Sequence, residues 1–163
     1  MTNDPVLDAE LAAFCQSGVS ITAGTRGAGL VPNATRALGC RVSADRRRVT
    51  VFILAAQSEG AMADIGANGA IAVVFSYPPT HRTVQLKAGD AVLGALEAGD
   101  AERIARYREA FRESLVGIGY GRGLPDTLLA GPLEDCVAVS FTPSAAFVQT
   151  PGPGAGKPLG GAR

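Results

Sequence analysis

The sequence contains no tryptophan, a single histidine and three cysteines set far apart, Cys15, Cys40 and Cys136. One histidine and no close cysteine pair leave no ligand set with the usual spacing of a transition-metal site, so no metal is expected. The same scarcity argues against nucleophilic catalysis. His81 is the lone candidate base, and no G-x-S-x-G turn presents a serine. The cysteines lie in apolar surroundings and read as buried thiols of a chain kept in a reducing cytoplasm. Fifteen basic residues balance fifteen acidic ones. That removes the positive excess on which nucleic-acid binding rests. No apolar run reaches the roughly 18 residues of a bilayer span, and no basic-then-apolar start marks a secretory signal. Neither nucleic acid nor membrane is expected as a partner.

Two glycine-rich stretches invite a nucleotide reading and fail it. Gly154-Ala155-Gly156-Lys157 has Pro151 where a phosphate loop needs its first glycine, and Pro158 where it needs Ser or Thr. In Gly117–Gly123 the third glycine of a dinucleotide fingerprint falls on Arg122.

What is present is a globular composition: 163 residues, 47% hydrophobic and 18% charged. This suits one domain over residues 1–150 with a core of its own. A Pro- and Gly-rich tail, 151–163, follows and reads as mobile or clamped on a partner surface. A chain without net charge also leans towards self-association.

Taken in order, Asp4-Pro5 reads as a helix start, with Leu7, Leu11 and Phe14 on one face and Gly18 as the stop. Val19–Ala23 alternates as a strand. Leu30–Ser43 reads as a long strand carrying Arg36 and Arg41, with Gly39 marking a bulge. Ala44–Arg47 is a hairpin turn, and Arg48–Leu54 is the clearest strand of the first half. Ser58 reads as the cap of a short helix that stops at Asn68-Gly69. Ala91–Leu96 is a returning strand. Asp100 reads as the cap of the longest helix, with Ile104, Tyr107, Phe111 and Leu115 inward. A short helix covers Pro125–Ala130. Asp135–Thr142 is a last core strand, which Ala145–Gln149 extends. Hairpin-joined strands with few helices predict a mainly β fold, an antiparallel barrel with peripheral helices.

The central stretch is Gly69–Lys87. Its first half, Ala70–Phe75, is a Val- and Ile-rich run that suits a strand buried on both faces. Pro78-Pro79 breaks it. In the second half Val84 and Leu86 point to the core, while Arg82, Thr83, Gln85 and Lys87 supply hydrogen-bond donors. Such a strand reads as the wall of a site for something anionic and polar.

The order of these parts resembles the pyridoxamine 5′-phosphate oxidase-like family, the flavin-binding split β-barrels. The parts are the long strand with Arg36 and Arg41, R-V-T-V-F-I-L, the short helix from Ser58, A-I-A-V-V-F-S and H-R-T-V-Q-L-K. The resemblance covers Val19–Leu96, with a looser match over Asp135–Gln149. It implies a homodimer with flavin mononucleotide (FMN) in a groove between subunits, and an oxidoreductase acting on a small-molecule substrate or electron donor. It further implies that Val51, Phe52 and Ile53 offer backbone groups to the flavin ring, and that Gln57 and Ser58 meet its phosphate with Arg36 and Arg41. Arg82, Thr83, Gln85 and Lys87 then line the flavin, and His81 faces the substrate side. Glu59-Gly60 stand where the oxidases of pyridoxamine phosphate carry basic residues, so the implication stops short of that reaction. The alternative is a barrel of the same kind that holds flavin, a deazaflavin or haem without turnover.

Overall fold

The computed structural model describes residues 6–160. Its helices are α1 (Ala9–Cys15), α2 (Glu59–Asn68), α3 (Asp100–Val116) and α4 (Gly123–Leu128). Its strands are β1 (Ser20–Arg26), β2 (Pro32–Val42), β3 (Val49–Leu54), β4 (Ile71–Ser76), β5 (Thr83–Ala88), β6 (Val92–Gly94), β7 (Cys136–Phe141) and β8 (Ala145–Val148). They make one eight-stranded antiparallel sheet in the order β6-β7-β3-β2-β1-β4-β5-β8. The fold is mainly β with peripheral helices, as the order of parts predicts.

β2 serves two neighbours. Its first half, to Arg36, pairs with β1, and its second half, from Ala37, pairs with β3. The register slips between Ala37 and Cys40, the bulge that Gly39 predicts. Gly39 has φ +139°, a conformation side chains rarely tolerate. A Cβ there would also lie 3.4 Å from both Phe52 and Tyr107. Tyr107 belongs to α3, which packs along β2.

The two ends of the sheet meet at a corner. Val84 faces Val148 and Lys87 faces Ala145; then, in the same register, Val92 faces Ser140 and Gly94 faces Ala138. So β5–β6 and β7–β8 behave as two long strands bent together, and the ribbon closes on itself. At the bend the Ser144 N–H donates to the Lys87 carbonyl at 2.9 Å. β6 therefore pairs with β7 rather than returning along β5, and β8 continues β7 in sequence but pairs across the corner with β5. Ile21, Val73, Phe75, Leu86 and Phe141 are wholly buried in the core this makes.

Helices close the remaining gaps, each held by specific polar contacts. α1 is capped by Asp8, whose Oδ1 accepts from the Leu11 N–H at 2.7 Å. Val6–Asp8 are not helical, and the Asp4-Pro5 start lies outside the described residues. Gln16, just beyond α1, accepts from the Val42 N–H at 3.1 Å. α2 is anchored by buried Asp64, which accepts from Thr25 at 2.7 Å and Asn33 at 2.8 Å. α3 is anchored at Tyr107, whose hydroxyl donates to the Val19 carbonyl at 2.8 Å, and at Ser114, which donates to the Gly18 carbonyl at 2.9 Å. Gly18 must be glycine here, since a Cβ would fall 2.4 Å from the Ala110 oxygen.

Three local readings change. Asp100 is not a cap: Gly99 holds that position at φ 88°, and Asp100 is the buried first residue of α3. β4 alternates instead of being buried on both faces; Ile71, Val73 and Phe75 are buried while Ala72, Val74 and Ser76 are half-buried. The tail turns back onto its own sheet. The Val148 N–H donates to Lys157 at 2.9 Å, the Leu159 N–H to Ala146 at 2.8 Å, and Phe147 bridges Pro158. Leu159 packs against the core, so the tail up to that point shields the β8 edge.

Among the described residues no helix is long and apolar enough to cross a membrane, and no cluster of His, Cys, Asp or Glu could hold a metal. All three cysteines are free and buried. Burial pushes the Cys15 thiol up to about 12, against a weaker pull from Arg82, and raises Cys40 still more firmly. A thiol reagent at pH 8 should therefore label Cys15 and Cys40 only after denaturation. Once unfolded, these thiols ionise near 9, so the unfolded state holds fewer protons above that pH and stability falls as pH rises. At pH 10 the loss should be about 1.4 kcal/mol for each of these two thiols. Urea titrations at pH 8 and pH 10 measure it; equal midpoints would contradict the burial of both thiols.

Candidate functional site

α3 covers the outside of the β2–β3 side of the barrel. Among the described residues no helix packs broadly on β4, β5 or β8, while α2 touches β1. The side chains on the outer face of β1, β4, β5 and β8 follow from strand alternation: Ile21, Ala23, Val73, Phe75, Val84 and Leu86 point inward and are buried, so their neighbours point out. The register then sets these outward residues in rows. Arg36, Thr22, Val74, Gln85 and Phe147 stand side by side in one row. The next row holds Ala34, Gly24, Ala72, Lys87 and Ala145. This second row is built of small side chains apart from Lys87, which stands between Ala72 and Ala145. Lys87 is exposed and its Nζ lies 5.2 Å from the centre of the Phe147 ring. The Gln85 amide oxygen accepts from Gln149 at 3.4 Å, and the Gln85 amide N–H groups have no hydrogen-bond partner among the described residues.

Thr83 shares the face but not the freedom. Its hydroxyl donates to the His81 carbonyl at 2.9 Å and accepts from Ser76 at 2.7 Å. Its N–H donates to Thr150 at 2.9 Å. Thr83 thus pins the β4–β5 hairpin, whose His81 is exposed and held at φ 58°. Arg36 is half-buried at the far edge of its row; it donates to Ser20 at 3.1 Å and lies 5.9 Å from the Phe111 ring centre.

The other residues singled out from sequence lie elsewhere. Arg41 reaches the start of α3: its Nη1 is 2.8 Å from Glu97, its Nε 3.0 Å from Asp100, and its Nη2 donates to Asp100 at 3.3 Å. Val51, Phe52 and Ile53 are wholly buried, and their strand is paired with β7 along its length and with β2 on either side of the bulge. Gln57 is exposed in the turn before α2. Ser58 stands at the cap position without capping; its buried hydroxyl pairs with Thr35 at 2.6 Å. Arg82 lies in the hairpin turn, ahead of β5. Its guanidinium stacks 4.5 Å from the centre of Phe14 and pairs with Glu10 at 2.9 Å, so it faces α1.

The structure therefore brings together Arg36, Thr83, Gln85 and Lys87 on one face. Thr22, Ser76, Phe147 and Gln149 join them, residues the sequence reading passed over. The alternation S-I-T-A-G-T in β1 does carry the signal for Thr22, since Ile21 and Ala23 are its buried neighbours.

No family model matches the chain, and no curated protein matches it. Solved structures do. HupZ from Group A Streptococcus is 16% identical over 93% of this chain and 98% of its own, with a TM-score of 0.54. A putative pyridoxamine 5′-phosphate oxidase from Lactobacillus delbrueckii is 14% identical over 90% of this chain and 98% of its own, also at 0.54. An F420 reductase is 14% identical over 86% of this chain and 98% of its own, at 0.53. At these identities the likeness establishes the fold: the barrel is that of the pyridoxamine 5′-phosphate oxidase-like proteins, as the order of motifs implied.

The two ion pairs make opposite predictions for two arginines. Asp100 is fully buried, so Arg41→Ala should strand a buried carboxylate and cost about 3 kcal/mol of stability. Arg82 is 45% exposed and Glu10 more so; Arg82→Ala should cost about 1 kcal/mol or less. Urea unfolding of both variants checks the order, and a larger loss for Arg82→Ala would contradict these placements.

Proposed function

We propose that this chain is a flavin-binding oxidoreductase that works as a homodimer, with FMN held on the β1–β4–β5–β8 face and a second copy completing the groove. The observation that carries the reading is that face. It has a row of small residues, no helix packed broadly on β4, β5 or β8 among the described residues, and Lys87, Gln85 and Arg36 on it. A planar ring system can lie along the Ala34–Gly24–Ala72 row, since the Gly24 position offers no side chain to lift it. Lys87 would set positive charge, and Gln85 amide N–H groups, against the oxygen-rich edge of the ring. Arg36 would meet the phosphate through charge-assisted hydrogen bonds.

The start of α2 supports less. The Ser58 hydroxyl is engaged with Thr35, and exposed Glu59 follows it where an anion would have to approach. In this reading the phosphate relies on the sheet face, and Gln57 plays the smaller part. A substrate built like pyridoxamine phosphate is correspondingly disfavoured. Bound flavin would supply the two-electron chemistry; the chain would supply position, charge and exclusion of water. The F420 reductase among the similar structures favours a second reading, in which a deazaflavin occupies the same face.

Purified protein should be dimeric by light scattering and take up one FMN per chain, with flavin absorption bands that bleach on adding a nicotinamide nucleotide. Lys87→Ala and Gln85→Ala should each weaken FMN binding by about one decade while leaving the urea midpoint of the cofactor-free protein nearly unchanged. A monomer with full flavin occupancy, or no uptake of FMN or a deazaflavin, would overturn the reading. Flavin that binds but is reduced by no donor leaves a binding module and removes the enzyme.

A further inference from the structure

A second concavity lies on the other side of the β4–β5 hairpin. It is an open cleft of about 720 Å³ between the end of α1, the hairpin and the second half of α3. That volume suits a small organic ligand. Phe14, Tyr77, Ala110 and Ile118 give it an apolar lining, and Arg82 and Glu113 are its charged residues. The two charges are not equivalent. Arg82 is already neutralised by Glu10 at 2.9 Å, with one guanidinium face laid on Phe14. Among the described residues its other face meets no aromatic ring, and a planar guanidinium can stack on one. Glu113 is exposed and has no ion-pair partner among the described residues.

The two serine hydroxyls at the cleft add no free donor, and Thr80, which accepts from the Arg82 N–H at 3.3 Å, adds only an uncharged one. Ser17 donates to the Phe14 carbonyl at 2.7 Å and Ser114 to the Gly18 carbonyl at 2.9 Å. Neither has a proton left for an incoming anion. The cleft thus offers apolar and stacking surface, neutral hydroxyls on Thr80 and Tyr77, one neutralised cation and one free carboxylate.

We propose that this cleft binds a small aromatic cation of the arylalkylamine class, its ring against Tyr77 and the Arg82 guanidinium and its ammonium at Glu113. The binding does not depend on flavin, so it stands or falls apart from the reading of the sheet face.

Two probes with similar bodies and opposite charge test it, 2-phenylethylamine and 3-phenylpropionate. Each is titrated into the nitrogen-15-labelled full chain at pH 7.5. The amine should shift the amides of Ala110, Gly117 and Ile118 saturably and bind about threefold to fivefold tighter than the acid, the size of an exposed charge contact. Glu113→Gln should bring the two probes within about twofold of each other. Glu102→Gln, on the exposed surface near the start of α3, should leave the preference intact. Equal or tighter binding of the acid, shifts at other amides, no saturable shift with the amine, or a preference that survives Glu113→Gln would overturn the proposal.

Discussion

The bend in β2 at Gly39 is the constraint on which the rest depends. A strand that ran straight through would pair with β1 or β3 along its whole length. With φ at +139° the chain turns, the register slips, and one strand becomes the shared edge of both sides of the barrel. The missing side chain also lets Phe52 and Tyr107 close over the bend, which seats α3 there. α3 is 17 residues long and packs along β2. Among the described residues no helix packs as broadly on β4, β5 or β8. The open face proposed as the working surface is thus a consequence of where the bend places the long helix.

Buried carboxylates then fix the helices against the barrel. Asp64 receives hydrogen bonds from two strand side chains, and Asp100 receives the Arg41 guanidinium. A buried carboxylate tolerates few alternative positions, because losing its partners leaves the charge uncompensated. Such contacts specify position more than they add stability. They also explain why Arg41 is not among the cations of the open face. Its charge is balanced within the fold, whereas Lys87 is left exposed with no carboxylate beside it among the described residues.

Much of this was legible in the sequence. Strand alternation in V-Q-L-K, the apolar strand run in R-V-T-V-F-I-L, the glycine in the long strand, and the Asn68-Gly69 stop all act through neighbours within a few residues, and each element appears where expected. The outward phase of Gln85 and Lys87 follows from the same alternation. What was not legible acts across the chain. Arg82 meets Glu10 and Phe14, Ser58 meets Thr35, and Arg41 meets Asp100; no local pattern announces any of these pairs. Arg82 also lies ahead of β5, in the phase of Val84 and Leu86, so alternation alone does not send it to the open face. The partners of β6 and β8 were hidden for a similar reason, since a corner in the ladder leaves no mark in composition. The tail read as mobile or clamped on a partner because its hold on its own sheet is mostly backbone hydrogen bonding, with Leu159 as its apolar contact.

The central claim is that the β1–β4–β5–β8 face is the working surface, and the sequence supplies its own reporters. The chain has two lysines, Lys87 on that face and Lys157 in the tail loop. Acetylation of both, followed by mass spectrometry with and without FMN, reads the face directly. The account predicts that FMN slows modification of Lys87 at least severalfold while Lys157 continues at its own rate. Saturating FMN that leaves both rates unchanged, or protects Lys157 instead, would contradict it.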